Sequence, residues 1–474
     1  MAAIEYYSSG KLHRFIAKPA DELPPAKPKA AAGMPTPMAV NAVQGQADRL
    51  GPLFHTVAES SLLFAVPKTG ATAVIPTATL IVEGASRAEL KKLKDLYGLT
   101  EEADSFGGQV LLRAPEGGEA GVRQAAAAAK AAYERGNVRA AHPNFVRVMN
   151  HIKPSAAGGL PLWNHANDGN PGVPGADVAA LAAWTITKGK ADVRVAVLDE
   201  GVDTSHPALK AAVVAERDFV DGKPTAMPDG DDAHGTACAG IIVSRDARNP
   251  GLAPGCSLVA ARIAKGDGAS GWVFDDFKTA DAIDWAWKEA KADVLSNSWG
   301  GGPPVDAITR AFERARTKGR GGKGAVIVVA TGNNDGPVAY PAILPDVLAV
   351  GASNPWDERK TRTSKDGENW WGSNFGPEIS LVAPGVKIST TDITRSAGYA
   401  AGNFVATFNG TSSATPHVAA AAALILSVAG GLNEKKVRAA ITASADRLSA
   451  AGKWDKFVGW GRLNIYAALR LARR

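Results

Sequence analysis

At 474 residues the chain is too long for one ordinary core and is expected to divide into two or three domains. Its hydrophobic fraction of 45% and charged fraction of 21% exclude a disordered chain. The net charge of +6 is spread without a strongly basic block, which argues against a nucleic-acid or membrane partner. Two cysteines, Cys238 and Cys256, exclude a disulfide framework and read as free thiols or at most one bridge.

In chain order, residues 1–70 open with a strand around Tyr6 to Phe15 and pass into PADELPPAKPKAAAGMPTPM, an extended Pro/Ala-rich linker. Residues 71–150 then read as a small α+β unit. ATLIVEG is a strand, and SRAELKKLKDLYG is a helix with Ser86 as N-cap and Gly98 just past its end. QVLLRAP is a strand, AGVRQAAAAAKAAYERG a helix ended by Gly136, and NVRAAHPNFVRVM a last strand. Residues 151–185, rich in Gly, Pro and Asn, read as a surface connection and domain boundary. Over 186–474, the apolar runs VRVAVL, LVAARI, AVIVVA, VLAVGA and ISLVAP alternate with helical segments such as DDFKTADAIDWAWKEA. That alternation predicts an α/β fold with a mostly parallel sheet flanked by helices, with ligand sites at the strands' carboxyl ends.

Three segments stand out chemically. Asp199 ends a buried-strand pattern in VRVAVLDEGVDTSHP, His234 opens the small-residue helix of HGTACAGII, and Ser412 sits in a Gly-Thr-Ser turn before the helix of NGTSSATPHVAAAAALILSVAGG. Taken singly, Asp199 reads more readily as a turn cap, His234 as an ordinary histidine and Ser412 as an N-cap. Together they supply the orienter, the general base and the nucleophile of acyl transfer, the nucleophile lying beside the free N–H groups of a helix start.

These three strings, in this order, resemble the Asp, His and Ser segments of the subtilisin-like serine proteases, the subtilases, and the resemblance extends from about 160 to 470. It implies a serine endopeptidase with Asp199, His234 and Ser412 as its triad and polypeptides as substrates. VIVVATGNND resembles the family's oxyanion stretch, which implies Asn333 as a donor to the tetrahedral intermediate. SNSWGGGP resembles the strand that binds substrate backbone, and the resemblance assigns Ser298, Trp299, Gly300, Thr331 and Gly332 to substrate binding. It also implies that the 71–150 unit is a prodomain, the enzyme's own intramolecular inhibitor, cut away by self-processing within about 148–175, so that 151–185 holds the linker and the start of the mature enzyme.

The resemblance leaves several points open. Cys238, four residues after His234, is either a thiol that confers mercurial sensitivity or an inert buried one. Trp299 near the pocket favours apolar side chains, and Asp335 favours basic ones; a broad apolar preference is expected. No cofactor is required; structural calcium is common in the family, but Asp229, Asp231 and Asp232 show no readable coordination pattern, so no metal is assigned. The opening residues lack a basic-then-apolar secretory pattern, which suggests a cytoplasmic protein as given, or a secreted one with a misassigned start. No transmembrane anchor is expected. A peptide-binding scaffold without activity is disfavoured by the intact triad, and a dinucleotide-binding protein by the absence of G-x-G-x-x-G after VRVAVLDEG.

Overall fold

The computed structural model describes residues 3–16, 71–150, 152, 154, 159, 162–266, 271–395, 397–449 and 452–473. The chain begins with an antiparallel hairpin, β1 (Ala3–Ser8) and β2 (Lys11–Ile16), in place of the single strand expected there. Its two-residue turn uses positive φ at Ser9 (51°) and Gly10 (74°), the conformation that matches the twist of paired strands. The Pro/Ala-rich linker lies outside the described residues.

The α+β unit runs β3 (Ala71–Glu83), α1 (Arg87–Tyr97), β4 (Thr100–Asp104), β5 (Gln109–Arg113), α2 (Gly118–Glu134) and β6 (Ala140–Asn150). Helix α1 is capped as its sequence predicts: the Ser86 side chain accepts from Glu89 N–H, and Gly98 closes the helix in the left-handed conformation. The alanines of α2 bury one face, Ala125, Ala128, Ala129 and Ala132, against Leu80, Val82 and Leu112, giving the unit a core of its own.

The remainder of the chain comprises α3 (Ala180–Trp184), β7 (Arg194–Asp199), β8 (Val213–Asp218), α4 (His234–Val243), β9 (Ser257–Arg262), β10 (Ala264–Gly266), β11 (Gly271–Asp275) and α5 (Asp276–Lys288). It continues through β12 (Val294–Asn297), α6 (Asp306–Lys318), β13 (Val326–Ala330), β14 (Leu348–Ser353), β15 (Leu381–Pro384), β16 (Ile388–Thr391) and β17 (Phe404–Phe408). It ends with α7 (Thr411–Val428), α8 (Glu434–Ala443) and α9 (Ile465–Ala472). Seven strands form one sheet in the order β15-β14-β13-β12-β7-β9-β8, with every pairing parallel.

Alternation along the central strands divides their side chains between two apolar layers. Val195 and Val197 of β7 face the layer holding α4 and α7, while Ala196 and Leu198 face the layer of α5 and α6. A strand covered on both sides has no polar face, which is why these segments read as unbroken apolar runs. Helix α7 is long and apolar enough to cross a membrane, but 94% of it is buried inside this body.

One finding extends the sequence reading and one differs from it. The α+β unit shares a sheet with the rest of the chain: β6 pairs antiparallel with β11, from Val146↔Asp275 to Asn150↔Gly271. The resulting six-stranded sheet has the order β10-β11-β6-β3-β5-β4 and crosses the boundary. Residues 162–180, expected within a surface connection, are instead packed against the body that follows. Trp163 is 3% exposed and donates its indole N–H to Val386 O at 3.0 Å, Asn164 bonds His417, and Val178 is fully buried. The Gly/Pro content shapes tight turns, while a few apolar and amide anchors fix the segment to the body.

Candidate active site

The carboxyl ends of β7, β12 and β13 converge on the amino ends of α4 and α7. Asp199 is the last residue of β7, and His234 is the first of α4. They can meet because residue 235 is glycine: a Cβ there would lie 2.1 Å from Gly201 O and 2.9 Å from Asp199 Cβ, so any larger residue would push α4 off the strand end. His234 Nδ1 lies 2.9 Å from Asp199 Oδ1 and 3.1 Å from Oδ2, and both side chains are 1% exposed. Asp199 Oδ1 also accepts from Glu200 N–H at 2.9 Å. The imidazole is held edge-on by Trp272, with ring centroids 4.5 Å apart, and by Phe408 at 5.2 Å. Nδ1 faces the carboxylate, so a proton exchanged with a substrate or nucleophile would pass through Nε2.

Ser412 is the second residue of α7, and its hydroxyl donates to Ser298 O at 3.1 Å. The Ser298 hydroxyl returns a bond to Ser412 O at 2.9 Å, so the end of β12 and the start of α7 are cross-linked at the nucleophile. At the helix start the Ser412 backbone N–H has no carbonyl four residues back to bond, so it is an available donor.

Asn333 follows β13 and is half-buried. Its Oδ1 accepts from both the N–H and the hydroxyl of Thr411, each at 2.9 Å, which fixes the amide plane and leaves Nδ2 as the outward donor. Gly332 delivers it in a left-handed turn, φ 104°, and donates its own N–H to Thr411 Oγ1 at 3.2 Å.

The other sequence-predicted residues divide into two groups. Ser298 and Gly332 touch the nucleophile's turn directly. Thr331 is fully buried, its hydroxyl bonded to Asn374 O at 3.3 Å, so its side chain belongs to the framework. Gly300 backs onto Tyr340 O, 2.8 Å from where a Cβ would stand. Trp299 is 4% exposed and packs between Phe274 and Phe312, in the same apolar cluster as Phe145 and Met149 of β6. Asp335 does not offer an unpaired charge to a substrate, because Arg359 Nη1 lies 2.8 Å from it.

Cys238 Sγ lies 3.7 Å from His234 Nδ1 and 3.6 Å from Ser412 O, and burial pushes its thiol well above the usual range, helped by the Asp199 charge. The two cysteines are both free and buried. Among the described residues, Asp199, His234 and Cys238 form a grouping whose ligand-type atoms lie within 4.8 Å of one another. Its sulfur and imidazole suit a soft ion and not calcium, which takes six to eight oxygens.

Sequence reasoning passed over Glu200 and Ile152. Glu200 is 1% exposed; its Oε1 accepts the His234 backbone N–H at 2.7 Å, and its Oε2 is buried without a hydrogen-bond partner. Burial first, then the charges of Asp232 and Asp199, hold its carboxyl well above the usual range. Asp232, itself buried, is pushed up to about 7 by the same desolvation. The only available signal was the acidic pair Asp199-Glu200 at one strand end. Ile152, just beyond β6, is 8% exposed and fills the space beside Gly410, where a Cβ would come within 2.9 Å of its Cδ1.

Comparison with known proteins matches this geometry to a family. Residues 190–461 match the model of the Subtilase family. A thermophilic serine proteinase of Bacillus sp. (strain AK1) is 36% identical over 291 residues, covering 60% of this chain and 64% of that protein. A calcium-dependent protease of Trichormus variabilis is 32% identical over 387 residues, covering 71% of this chain and 54% of the relative. The chain thus spans less than two thirds of either relative. Thermitase of Thermoactinomyces vulgaris is 33% identical and is matched over 94% of its length and 62% of this chain. The crystal structure of fervidolysin from Fervidobacterium pennivorans shares the fold, with a TM-score of 0.64 at 24% identity, covering 83% of this chain and 60% of that one. The family match takes in the strand that ends at Asp199 and the helices that begin at His234 and carry Ser412, and the chain belongs to the subtilase family.

Proposed function

We propose that this chain is a serine endopeptidase made as a self-processing zymogen, with residues 71–150 as its prodomain and residues 186–474 as its catalytic domain. The observation that carries the zymogen reading is the path of the chain after β6. Paired on β11 as far as Asn150, it reaches Ile152 against Gly410, two residues from Ser412. A polypeptide laid as an added strand along a cleft edge and ending beside the nucleophile is bound as a protease substrate is bound. The first bond cut is then at or next to Ile152, within the 148–175 range anticipated from the sequence.

In the chemical step Ser412 Oγ leaves Ser298 O, gives its proton to His234 Nε2 and forms a bond to the peptide carbonyl carbon. The resulting oxyanion accepts from Ser412 N–H and Asn333 Nδ2. His234 returns the proton to the departing amine as the C–N bond breaks, and water repeats the sequence on the acyl-enzyme. Asp199 holds the imidazole in the tautomer with Nδ1–H and offsets its transient charge. Ser298 to Gly300 and β11 pair with the substrate backbone, and the apolar wall of Phe274 and Trp299 favours apolar side chains once β6 has left.

Every step runs through side chains and backbone. Calcium dependence belongs to the name of a relative. In this chain Asp203 and Asp392, two buried carboxylates near the cleft, are already committed to the N–H groups of Ser205, Thr394, Ile393, Tyr399 and Ala400.

Intact mass and labelling by a fluorophosphonate probe test the reading on purified wild-type and Ser412→Ala chains. The wild type is expected to label and to lose its first 150 or so residues, and the variant to do neither. A wild type that stays whole and unlabelled, even after residues 71–150 are removed by limited proteolysis, would sink it.

A further inference from the structure

The zymogen reading gives no role to residues 3–16, yet β1 buries one whole face while β2 lies outside it. Ile4 is 2% exposed, and Tyr6 and Ser8 are fully buried. The hairpin also lies across the seam between the two bodies. On the side of the α+β unit, Glu5 pairs with Lys130 at 2.6 Å, Tyr7 stacks on Tyr133 at 4.6 Å, and the Tyr6 ring lies 5.2 Å from Phe145 of β6. On the side of the catalytic body, Tyr6 Oη donates to Pro304 O at 3.2 Å. Ser8 Oγ and Ser9 N–H both donate to Asp306 Oδ1, at 3.2 and 2.7 Å.

Asp306 is the first residue of α6, and the next N–H of that helix, from Ala307, is accepted by His142 Nε2 of β6 at 3.0 Å. The amino end of α6 is therefore gripped from two directions: by β6 through His142 and by the hairpin through Ser8 and Ser9. Prying β6 away from α6 means moving its Phe145 from beneath Tyr6, whose hydroxyl is fastened to the other body. In sequence the hairpin stands 54 residues before β3, so its contacts are not a by-product of chain continuity at the unit's edge.

We infer that the β1–β2 hairpin is a clamp whose docking partner is the seam itself. It retains the cleaved prodomain in the cleft, so active enzyme appears when the clamp is lost and not when the bond is cut. The inference rests on the zymogen reading for its consequence and on the hairpin's own contacts for its geometry. It makes the N-terminal segment a control point: a protease that removed residues 3–16 would release activity without touching the active site.

The test uses the full chain as wild type, as Tyr6→Ala and as a chain lacking residues 2–16. Intact mass follows the cut, and hydrolysis of fluorescein-labelled casein follows the appearance of activity. All three are expected to be cut at the same rate, with the lag between cutting and activity shortened by about tenfold or more in the two variants, a factor worth about 1.4 kcal/mol of retention. Cutting followed by an unchanged lag overturns the clamp. If no chain is cut, the zymogen reading is what fails, and the clamp is judged in the Ser412→Ala background by amide exchange at Ala307. Exchange about tenfold faster with Tyr6→Ala supports it, and unchanged exchange overturns it. Tyr6→Phe, which keeps the ring and loses the hydroxyl with its bond to Pro304, guards against a misfolded hairpin and is expected to give a smaller shift in the same direction.

Discussion

The two bodies of this molecule are held together by different means. The catalytic body is closed by apolar layers on both faces of a parallel sheet, with nearly all of α7 buried among Val326, Val328, Leu348 and Val350. The α+β unit has a core of its own, built on Leu80, Val82, Leu93 and the alanines of α2. Between them the seam combines an apolar patch, where Val74, Ile81, Phe145 and Met149 join one cluster with Phe274 and Trp299, with a set of buried polar pairs. Arg147, 1% exposed, pairs with Asp276 and donates to Gly301 O and Pro303 O; Arg314 joins Glu83 to Asp284; Gln109 donates to Ala307 O. Charged groups that are satisfied when docked can be hydrated when parted, which suits the proposed release of residues 71–150.

The sharpest way to break that contrast is at Arg147. Its guanidinium holds Asp276, which is fully buried at the start of α5. Arg147→Met keeps much of the volume and leaves that carboxylate in the interior without its partner. Such a loss costs about 3–5 kcal/mol. In the Ser412→Ala background, which prevents processing, calorimetry should show the single transition of the docked chain split or lowered. The body's own melting, measured on processed enzyme, should not change. If both transitions fall together, the seam is not a separate layer of stability.

Asn333 sharpens the contrast from the other side, since the proposed mechanism gives it the oxyanion, and its side-chain partner is Thr411 of the catalytic body. Asn333→Leu is expected to lower kcat by about 10²–10³, a magnitude carried over from the corresponding residue of subtilisin. KM should barely move, and the melting of the uncut chain should stay where it is. A comparable loss in KM would mean that Asn333 holds substrate and not the oxyanion.

The same contrast explains what the sequence made legible. The candidate site is written in local pattern: Asp199 and Asn333 follow apolar runs at Gly-containing turns, and Ser412 follows a Gly-Thr turn at a helix start. In the α+β unit, Ser86, Gly98 and the alanines of α2 gave the helices, because capping and propensity are local. What joins the bodies is not local. Val146–Asn150 finds β11 more than a hundred residues later, and β11 shows no alternation because all five of its residues are buried. Tyr6 was read as part of a strand, but its burial depends on Phe145 and Pro304, which adjacent sequence cannot reveal. Trp163 and Val178 were hidden in a Gly/Pro-rich stretch whose composition signals a loop whether or not the loop is packed.

The smallest expected effect lies inside the catalytic body and concerns a polar group that breaks its apolar rule. Glu200 is buried beside Asp199 and Asp232, and its carboxyl is held well above the usual range by burial and by those charges. A raised acid binds its proton more tightly in the folded state than in the unfolded one. Between the unfolded value and the raised one the native chain therefore carries the extra proton, and stability falls as pH rises. Asp232, pushed up to about 7, acts in the same direction, so the window opens near pH 4–5 and extends through neutrality. Glu200→Gln keeps an oxygen to accept the His234 N–H and removes the ionisation. In the Ser412→Ala background the melting temperature of the wild-type pairing should fall between pH 5 and pH 8 more steeply than that of the Gln variant. The difference should be on the order of 1 kcal/mol per pH unit in the affected range. Parallel curves would mean that Glu200 is ionised in the folded chain, and that the negative charge beside the triad is two units and not one.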